Sequence, residues 1–178
     1  IPSAVVAIIF MLLYNPMEGP LTRLMEVTTG TTPAWLADKT LVLPSLIGAI
    51  SWRFIGFHMV LILAGVQAID RTLYEAASLD GAGPWQRFCH ITLPGVMPVL
   101  KLSMLLAVLG ALKYFDLVYI MTAGGPDHSS ELLSTYLFKL GIHERRFGYS
   151  SAVATALLVV SLGAGIAVGM LKARRARQ

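Results

Sequence analysis

The segment EAASLDGAGPWQRFCHITLP, residues 75–94, is a polar stretch that lies between long apolar runs of the chain. Together with the residues just before it, the segment predicts a short helix over 72–80, a turn at Gly81 and a second amphipathic piece that ends at Pro94. Asp80 is expected to hold backbone N–H groups in the turn. Nothing in the segment is typical of a catalytic site. The pattern indicates a docking element, a shaped projection that a membrane protein offers to a soluble partner.

Charged and aromatic residues of this segment indicate which way it faces. Arg71 and Arg87 suit a cytoplasmic surface, and Trp85 and Phe88 are three residues apart, so they are expected to share one helix face. The alternative is a plain amphipathic helix that rests on the membrane surface.

Composition places the whole chain in a membrane. Of its 178 residues, 56% are hydrophobic and 13% are charged, and the mean hydropathy is +0.69. An ordinary soluble domain is less apolar and about twice as charged. The lone Cys89 excludes an internal disulfide and is expected to be a small apolar filler. The prediction is a single all-α domain, 1–178, with spans at 1–14 (partial), 41–69, 94–122 and 150–171, a loop at 70–93 on one side and loops at 15–40 and 123–149 on the other.

The first apolar run is too short to cross a bilayer, which takes about 20 residues. Residues 1–14 are therefore expected to be the end of a cut span, with a short buried helix as the alternative. The chain starts inside this run with neither an initiator Met nor a signal peptide, so we expect a fragment that lacks an N-terminal part. In the following loop, residues 21–27 are expected to form an interfacial helix, and Trp35 suits the headgroup level.

The second span carries two ionisable residues, Arg53 and His58. Such groups are costly at membrane depth and tend to face protein or water. Arg53 either lines a translocation path, snorkels, or pairs with an acid of a partner subunit. His58 is not expected to bind a metal, because no second ligand follows it at the i+3 or i+4 position.

The outer half of the third span is polar and aromatic, with Lys113, Tyr114, Phe115, Asp116 and Tyr119. Lys113 and Asp116 are three residues apart and are expected to pair on one helix face. Rings with hydroxyl and charged neighbours suit a sugar, which presents apolar faces and a rim of hydroxyls. The alternative is an outer aromatic belt with a locally paired Lys and Asp.

The spacing of the polar segment matches a known signature. E-A-A, three residues, G, nine residues and I-x-L-P stand here as Glu75-Ala76-Ala77, Gly81 and Ile91-Thr92-Leu93-Pro94. This resembles the EAA loop of bacterial binding-protein-dependent ABC importer permeases, and the chain is most similar to their maltose-type carbohydrate members. Further matches are F-D-x-x-Y at 115–119, T-x-G-G-P at 122–126 and F-G-Y-x-S-A at 147–152.

The resemblance implies a multi-span helical bundle in the bacterial inner membrane, with a cytoplasmic coupling helix that docks on a separate ATPase. The implied partners are an ABC ATPase dimer, a second permease subunit, a periplasmic or lipid-anchored solute-binding protein and the lipid bilayer. No enzyme activity, cofactor or metal is implied, because the partner binds ATP. The implied coupling residues are Glu75, Ala76, Ala77, Asp80, Gly81, Ile91, Leu93 and Pro94. The candidate substrate-path residues are Lys113, Phe115, Asp116 and Tyr119.

Other functions remain open on the sequence. Glycerol-phosphate and polyamine permeases share the EAA loop, and an integral-membrane enzyme or a scaffold would belong to different classes. The chain lacks the G-x-x-x-x-G-K-[ST] motif of ATP-binding P-loops. The basic tail is expected to orient the last span rather than to bind nucleic acid. Its basic residues are Lys172, Arg174, Arg175 and Arg177.

Overall fold

The computed structural model describes the backbone of residues 1–175 and the side chains of residues 1–166. The side chains of the basic tail, for which an orienting role is predicted, lie outside this described part. The described backbone contains helices and no strand. Its helices are α1 Ser3–Leu13, α2 Pro20–Thr29, α3 Val42–Gln67, α4 Arg71–Leu79, α5 Pro84–Arg87, α6 Leu93–Leu112, α7 Asp116–Thr122, α8 Leu133–Phe138 and α9 Phe147–Arg175, with π-helical turns at Phe88–Thr92 and Lys139–His143.

Among the described residues, three helical segments are long and apolar enough to cross a membrane: Val42–Gln67, Pro84–Leu112 and Phe147–Ile166. The first lies within the predicted second span, 41–69, and the last begins slightly before the predicted one, 150–171. Between 6% and 11% of each apolar stretch is buried, so most of these surfaces are open to lipid or to other helices. The all-α membrane class is therefore confirmed.

The chain forms two compact units, which are described separately. One comprises residues 1–53 and 109–178, and the other comprises residues 54–108. The boundaries fall inside α3 and α6. The prediction of a single permease domain stays a prediction.

The core of the first unit forms where α1 meets α7. Val6, Ala7 and Phe10 pack with Leu117 and Val118, and each of these side chains is buried. Residues from the start of α3 complete the cluster. α1 is thus a helix of 11 residues that packs one of its faces into the core. The remaining members of the cluster are Tyr14, Val42, Leu46, Ala49 and Met121.

The loop after α1 contains the predicted short helix and packs against the end of α1. Its helix α2 begins at Pro20, where a missing N–H costs little, and ends at Gly30 with φ +70°. The ring of Trp35 stacks on Tyr14 at 5.4 Å, and its Nε1–H donates to Thr22 Oγ1 at 2.9 Å. The headgroup position of Trp35 stays a prediction.

The helix at the predicted third span, 94–122, has other bounds in the structure. Helical structure begins at Pro84 and continues through the π turn into α6, which ends at Leu112. The backbone then leaves the helix, and α7 starts at Asp116. The carbonyl of Tyr114 at this break accepts a hydrogen bond from the hydroxyl of Ser134. A side chain of another element therefore replaces a helical bond, which stabilises the break where water is scarce.

In the second unit, the end of α3 lies close against α6. A Cβ built on Gly65 would lie 2.8 Å from Val99 Cγ2, so only glycine fits this contact without a shift. Further along the same pair of helices, His58 Nδ1 and Ser103 Oγ are 2.7 Å apart. An interhelical hydrogen bond thus occupies His58, as is usual for polar groups inside membrane bundles.

Candidate coupling and solute sites

The helix α4 is a short, well-capped helix that carries the E-A-A residues. Asp70 is its N-cap, and Asp70 Oδ1 accepts a hydrogen bond from the backbone N–H of Thr72 at 2.9 Å. That bond holds the pKa of Asp70 below its usual value. Glu75 and Ala76 are exposed, whereas Ala77 on the opposite face is half-buried. The cap and the single packed face leave the acidic face of α4 free for a partner.

A backbone turn at Gly81 ends α4, as predicted. The N–H of Ala82 donates to the carbonyl of Ala77 at 2.9 Å, and the N–H of Gly81 donates to that of Ser78 at 3.2 Å. Together these form a Schellman motif, which requires a left-handed residue, and Gly81 has φ +73°. A Cβ on Gly81 would meet open space, so the requirement is purely conformational.

The prediction for Asp80 is wrong. Within the described residues, its carboxylate makes no hydrogen bond to the turn, and backbone groups alone close it. Asp80 is exposed beside Gly81. The prediction was made because an Asp next to a turn glycine commonly accepts hydrogen bonds from the backbone. Here Asp70, at the other end of α4, has that role.

After the turn, the chain starts a new helix and presents the predicted aromatic face. Pro84 occupies the first position of α5, and the N–H of Gly83 donates to Gln86 Oε1 at 2.9 Å. The rings of Trp85 and Phe88 stack at 5.6 Å. Trp85 is 74% exposed and Phe88 is exposed beside it, so the pair forms a small apolar patch on the surface.

The expected stop at Pro94 does not occur. A π turn over Phe88–Thr92 joins α5 to α6, and its closing bond runs from the N–H of Leu93 to the carbonyl of Phe88. Pro94 cannot donate a helical hydrogen bond, and the wider turn just before it accommodates that missing donor. Ile91 is half-buried in this turn, whereas Leu93 and Pro94 are exposed at the start of α6.

The structure therefore places the predicted coupling residues on two elements. The capped helix and its turn carry an exposed group together with the half-buried Ala77, and the π turn with the start of α6 carries Ile91, Leu93 and Pro94. We call residues 70–93 the coupling loop, after the prediction. Its exposed group consists of Glu75, Ala76, Asp80 and Gly81.

A second site candidate is an aromatic cluster around α7 and α8. The rings of Phe115 and Tyr119 stack at 5.0 Å, and Phe138 lies 5.2 Å from Phe115 and 4.9 Å from Tyr119. The Tyr119 hydroxyl is 3.2 Å from His143 Nε2. The cluster joins flat apolar faces to hydrogen-bonding groups, the combination that a sugar requires. We call these four side chains the aromatic cluster.

Sequence reasoning missed Phe138 and His143. Both follow the T-x-G-G-P turn by more than ten residues, and only the packing of α8 on α7 brings them to Tyr119. A signal was present in the sequence, because residues 131–140 of the loop, ELLSTYLFKL, form an amphipathic stretch that includes Phe138. Nothing in that stretch identifies the side chains that it faces.

The predicted pairing of Lys113 with Asp116 is wrong. The helix ends at Leu112, so the two residues do not share a helix face, and the described residues contain no ion pair between them. Asp116 Oδ2 accepts a hydrogen bond from Ser3 Oγ at 2.8 Å instead. Lys113 lines an apolar cavity of about 450 Å³ against α9.

Arg53 also has a defined position. Its Nη1 donates to the Tyr114 hydroxyl at 2.9 Å, and its guanidinium lies 6.0 Å from the ring centroid. The contact ties α3 to the break after α6. This contact does not distinguish between a path residue, a snorkelling side chain and pairing with an acid of a partner subunit, so those alternatives for Arg53 stay predictions.

One carboxylate makes two ion pairs next to the loop that follows α7. Glu131 Oε1 lies 2.7 Å from Lys139 Nζ, and Oε2 lies 2.7 Å from His128 Nδ1. Burial acts to raise the pKa of Glu131, but the bonds and charges of Lys139 and His128 outweigh it and lower the pKa. Among the described residues, no group of His, Cys, Asp and Glu could hold a metal ion.

The described residues form an all-helical, membrane-spanning fold in which a polar, exposed loop joins two apolar segments. The family of binding-protein-dependent transport system inner membrane components matches residues 1–177, and the chain belongs to this family. The resemblance read from the EAA loop is thereby confirmed, as is the inner-membrane location.

Individual relatives agree. The probable ABC transporter permease protein YurN of Bacillus subtilis (strain 168) is 38% identical over 164 residues, which cover 91% of this chain and 56% of that protein. The trehalose/maltose transport system permease protein MalF of Thermococcus litoralis (strain ATCC 51850 / DSM 5473 / JCM 8560 / NS-C) is 32% identical over 162 residues, covering 90% and 55%. The chain spans about half the length of these relatives.

The fold is also that of a solved transporter. A chain of a bacterial ABC transporter involved in the import of the acidic polysaccharide alginate superimposes with a TM-score of 0.89 at 24% identity, covering 98% of this chain and 61% of that one. The multi-span permease bundle expected from the sequence is therefore confirmed as the fold.

Proposed function

We propose that this chain is the transmembrane subunit of an ATP-driven importer, in which it forms half of a solute path and couples to a separate ATPase. The observation that carries the proposal is the exposed coupling loop, with a glycine-defined turn and a free carboxylate at Glu75. Family membership supports it, because the family consists of transport components.

The surface of the coupling loop suits a protein partner. Leu79 is 89% exposed next to the turn, and Trp85 is exposed beyond it. Glu75 lies on the same short helix as Leu79 and can accept a charge-assisted hydrogen bond from an Arg or Lys of the partner. Exposed apolar side chains next to the acids Glu75 and Asp80 suit a partner cleft that combines apolar and basic residues.

For the solute we propose a saccharide. The aromatic cluster supplies stacking faces, and Tyr119, His143 and the nearby Asp116 supply hydrogen-bonding groups. Two proteins similar to this chain carry trehalose/maltose and alginate in their names. Glycerol-phosphate or polyamine permeases of the same family are the alternative, and these would favour a more strongly charged site.

The remaining partners follow from this role. A dimeric ATPase binds the nucleotide, so this chain needs no cofactor of its own. A second permease subunit completes the path, and a solute-binding protein delivers the solute from the outer side. Transport then proceeds by alternating access as the ATPase closes and opens.

Co-purification tests the coupling role. The full-length protein is purified in detergent with the ATPase subunit of its host, as wild type and as Glu75→Ala. Glu26→Ala is the matched control, because Glu26 is also an exposed acid on a short helix. Binding that is lost in Glu75→Ala alone supports the proposal. A wild-type protein that captures no ATPase in several detergents contradicts it.

Uptake tests the solute class. Vesicles that contain the assembled importer are given labelled maltose, trehalose, an alginate oligosaccharide, glycerol phosphate and spermidine, each with and without ATP. ATP-dependent uptake of a saccharide supports the assignment. Uptake of glycerol phosphate or spermidine alone contradicts the saccharide proposal but agrees with the importer proposal.

A further inference from the structure

Inside the coupling loop, α4 is tied to the helix that follows the turn by side chains as well as by the backbone. The Tyr74 hydroxyl lies 2.8 Å from Thr92 Oγ1, across 18 residues of chain. Arg87 Nη1 donates to Ser78 Oγ at 2.9 Å, and Ser78 Oγ donates onward to the carbonyl of Tyr74 at 2.7 Å. We call these four side chains the brace.

The brace joins one face of α4 to one face of the next helix. Tyr74 and Ser78 are four residues apart, so they lie above one another on α4. Tyr74 and Ala77 are half-buried, whereas Glu75 and Ala76 face outward. The face that bonds inward is therefore separate from the face that is proposed to meet the ATPase.

The π turn is what lets both partners on the second helix face α4. Arg87 and Thr92 are five residues apart, and in a regular α-helix they would point about 140° away from each other. A π turn spreads roughly one turn over five residues, because its hydrogen bond spans one residue more. The π turn at Phe88–Thr92 lies between the two side chains and brings them to a common face.

Besides the brace, two short connections hold α4. It is joined to α3 through residues 68–70 and to α5 through residues 80–83, where Gly81 has a left-handed backbone and open space around it. Without the brace, a force on the outer face of α4 could rock the helix about these connections instead of moving α6.

We propose that Tyr74, Thr92, Ser78 and Arg87 are positioning residues that make α4 and α6 move as one body when the ATPase closes. The inference rests on the proposed function, since it assigns the route by which that coupling reaches the span. The π turn sets the register of the brace. Gly81 then shapes the loop, and the brace keeps it from acting as a hinge.

Distances between spin labels on α4 and α6 test the brace. Labels are placed at Arg71→Cys and Met104→Cys, both exposed positions, in full-length protein with Cys89→Ser. Electron-spin distance distributions are recorded for the complex with the host ATPase, without nucleotide and after trapping with ATP and vanadate. With the brace intact, we expect one narrow distribution with the same mean in both states.

Loss of the brace should change this result. Tyr74→Phe and Thr92→Val each delete one bonding group at nearly constant shape, and the population of displaced α4 should rise roughly 2- to 10-fold, the equilibrium worth of one ordinary hydrogen bond. The mean distance should then shift on trapping. The double variant should be no worse than either single one, and Thr92→Ser, which keeps the hydroxyl, should behave as wild type.

Thr155→Val is the control, because its hydroxyl bonds only to the carbonyl of Ser151 in its own helix among the described contacts. If the distance distributions stay narrow and unshifted in Tyr74→Phe and Thr92→Val, the proposed role of the brace is wrong. The proposed function still stands in that case if both variants bind the ATPase. A wild-type protein that binds no ATPase is the separate failure of the proposed function.

Discussion

Replacing Gly81 with Ala should weaken binding of the ATPase through backbone conformation alone. Gly81 has φ +73°, and an added Cβ would meet no atom within 4 Å. The whole cost is therefore that of holding an L-residue in the left-handed region, about 1–2 kcal/mol. If the ATPase binds only the observed angle between α4 and α5, its affinity should fall by roughly 5- to 30-fold. Gly81→Asn should fall less, because Asn tolerates this region better.

The assay is the dissociation constant of the full-length protein and its ATPase in detergent, measured beside the unfolding temperature. Gly30→Ala is a matched control, because Gly30 has φ +70°, ends α2 and also has open space around it. Both variants should lose similar stability, and only Gly81→Ala should lose affinity. Equal affinities for the two variants would refute the reasoning that the turn shapes the binding surface.

Three further predictions concern packing, pH and the solute. Gly65→Ala should destabilise the protein by about 1–3 kcal/mol in thermal unfolding, because the methyl group would lie 2.8 Å from Val99 Cγ2; Gly56→Ala, with open space in the same helix, should not destabilise. The lowered pKa of Glu131 means that its ionised form stabilises the fold above the ordinary value of 4.5 and that this stability is lost as pH falls through the lowered value. As the pH falls from 4.5 through the lowered pKa, the unfolding temperature should therefore decrease less in Glu131→Gln than in the wild type. An equal decrease in both proteins would contradict the stabilising role of ionised Glu131. Phe138→Ala should raise the KM for saccharide uptake by roughly 2- to 13-fold, and Phe138→Tyr should restore it, if the ring stacks on the solute.

Local signals were sufficient for the bounds of α4 and for the turn at Gly81, but not for the role of Asp80 or for the π turn at Phe88–Thr92. Asp70 before a helical run, Gly81 after it and Pro84 at the next helix start are each set by backbone chemistry within a few residues. The helix predicted over 72–80 is observed at Arg71–Leu79. The roles of these residues toward a partner stay predictions.

The break after Leu112 could not be predicted, because distant residues stabilise it. Ser134 bonds the carbonyl of Tyr114, and Ser3 bonds Asp116, across 20 and 113 residues of chain. Residues 112–116 contain no Gly or Pro, so the local sequence predicts a continued helix. The membership of Phe138 in the aromatic cluster was hidden for the same reason, since it depends on contacts between elements.

The break at residues 113–115 joins the bend of the span to the aromatic cluster. Within this break, the carbonyl of Tyr114 accepts a hydrogen bond from Ser134 on α8. The same helix carries Phe138. Displacing α8 therefore strains the bend, and changing the bend displaces α8. The backbone conformation at residues 113–115 and the position of α8 are thus linked by one free energy, which acts equally in both directions.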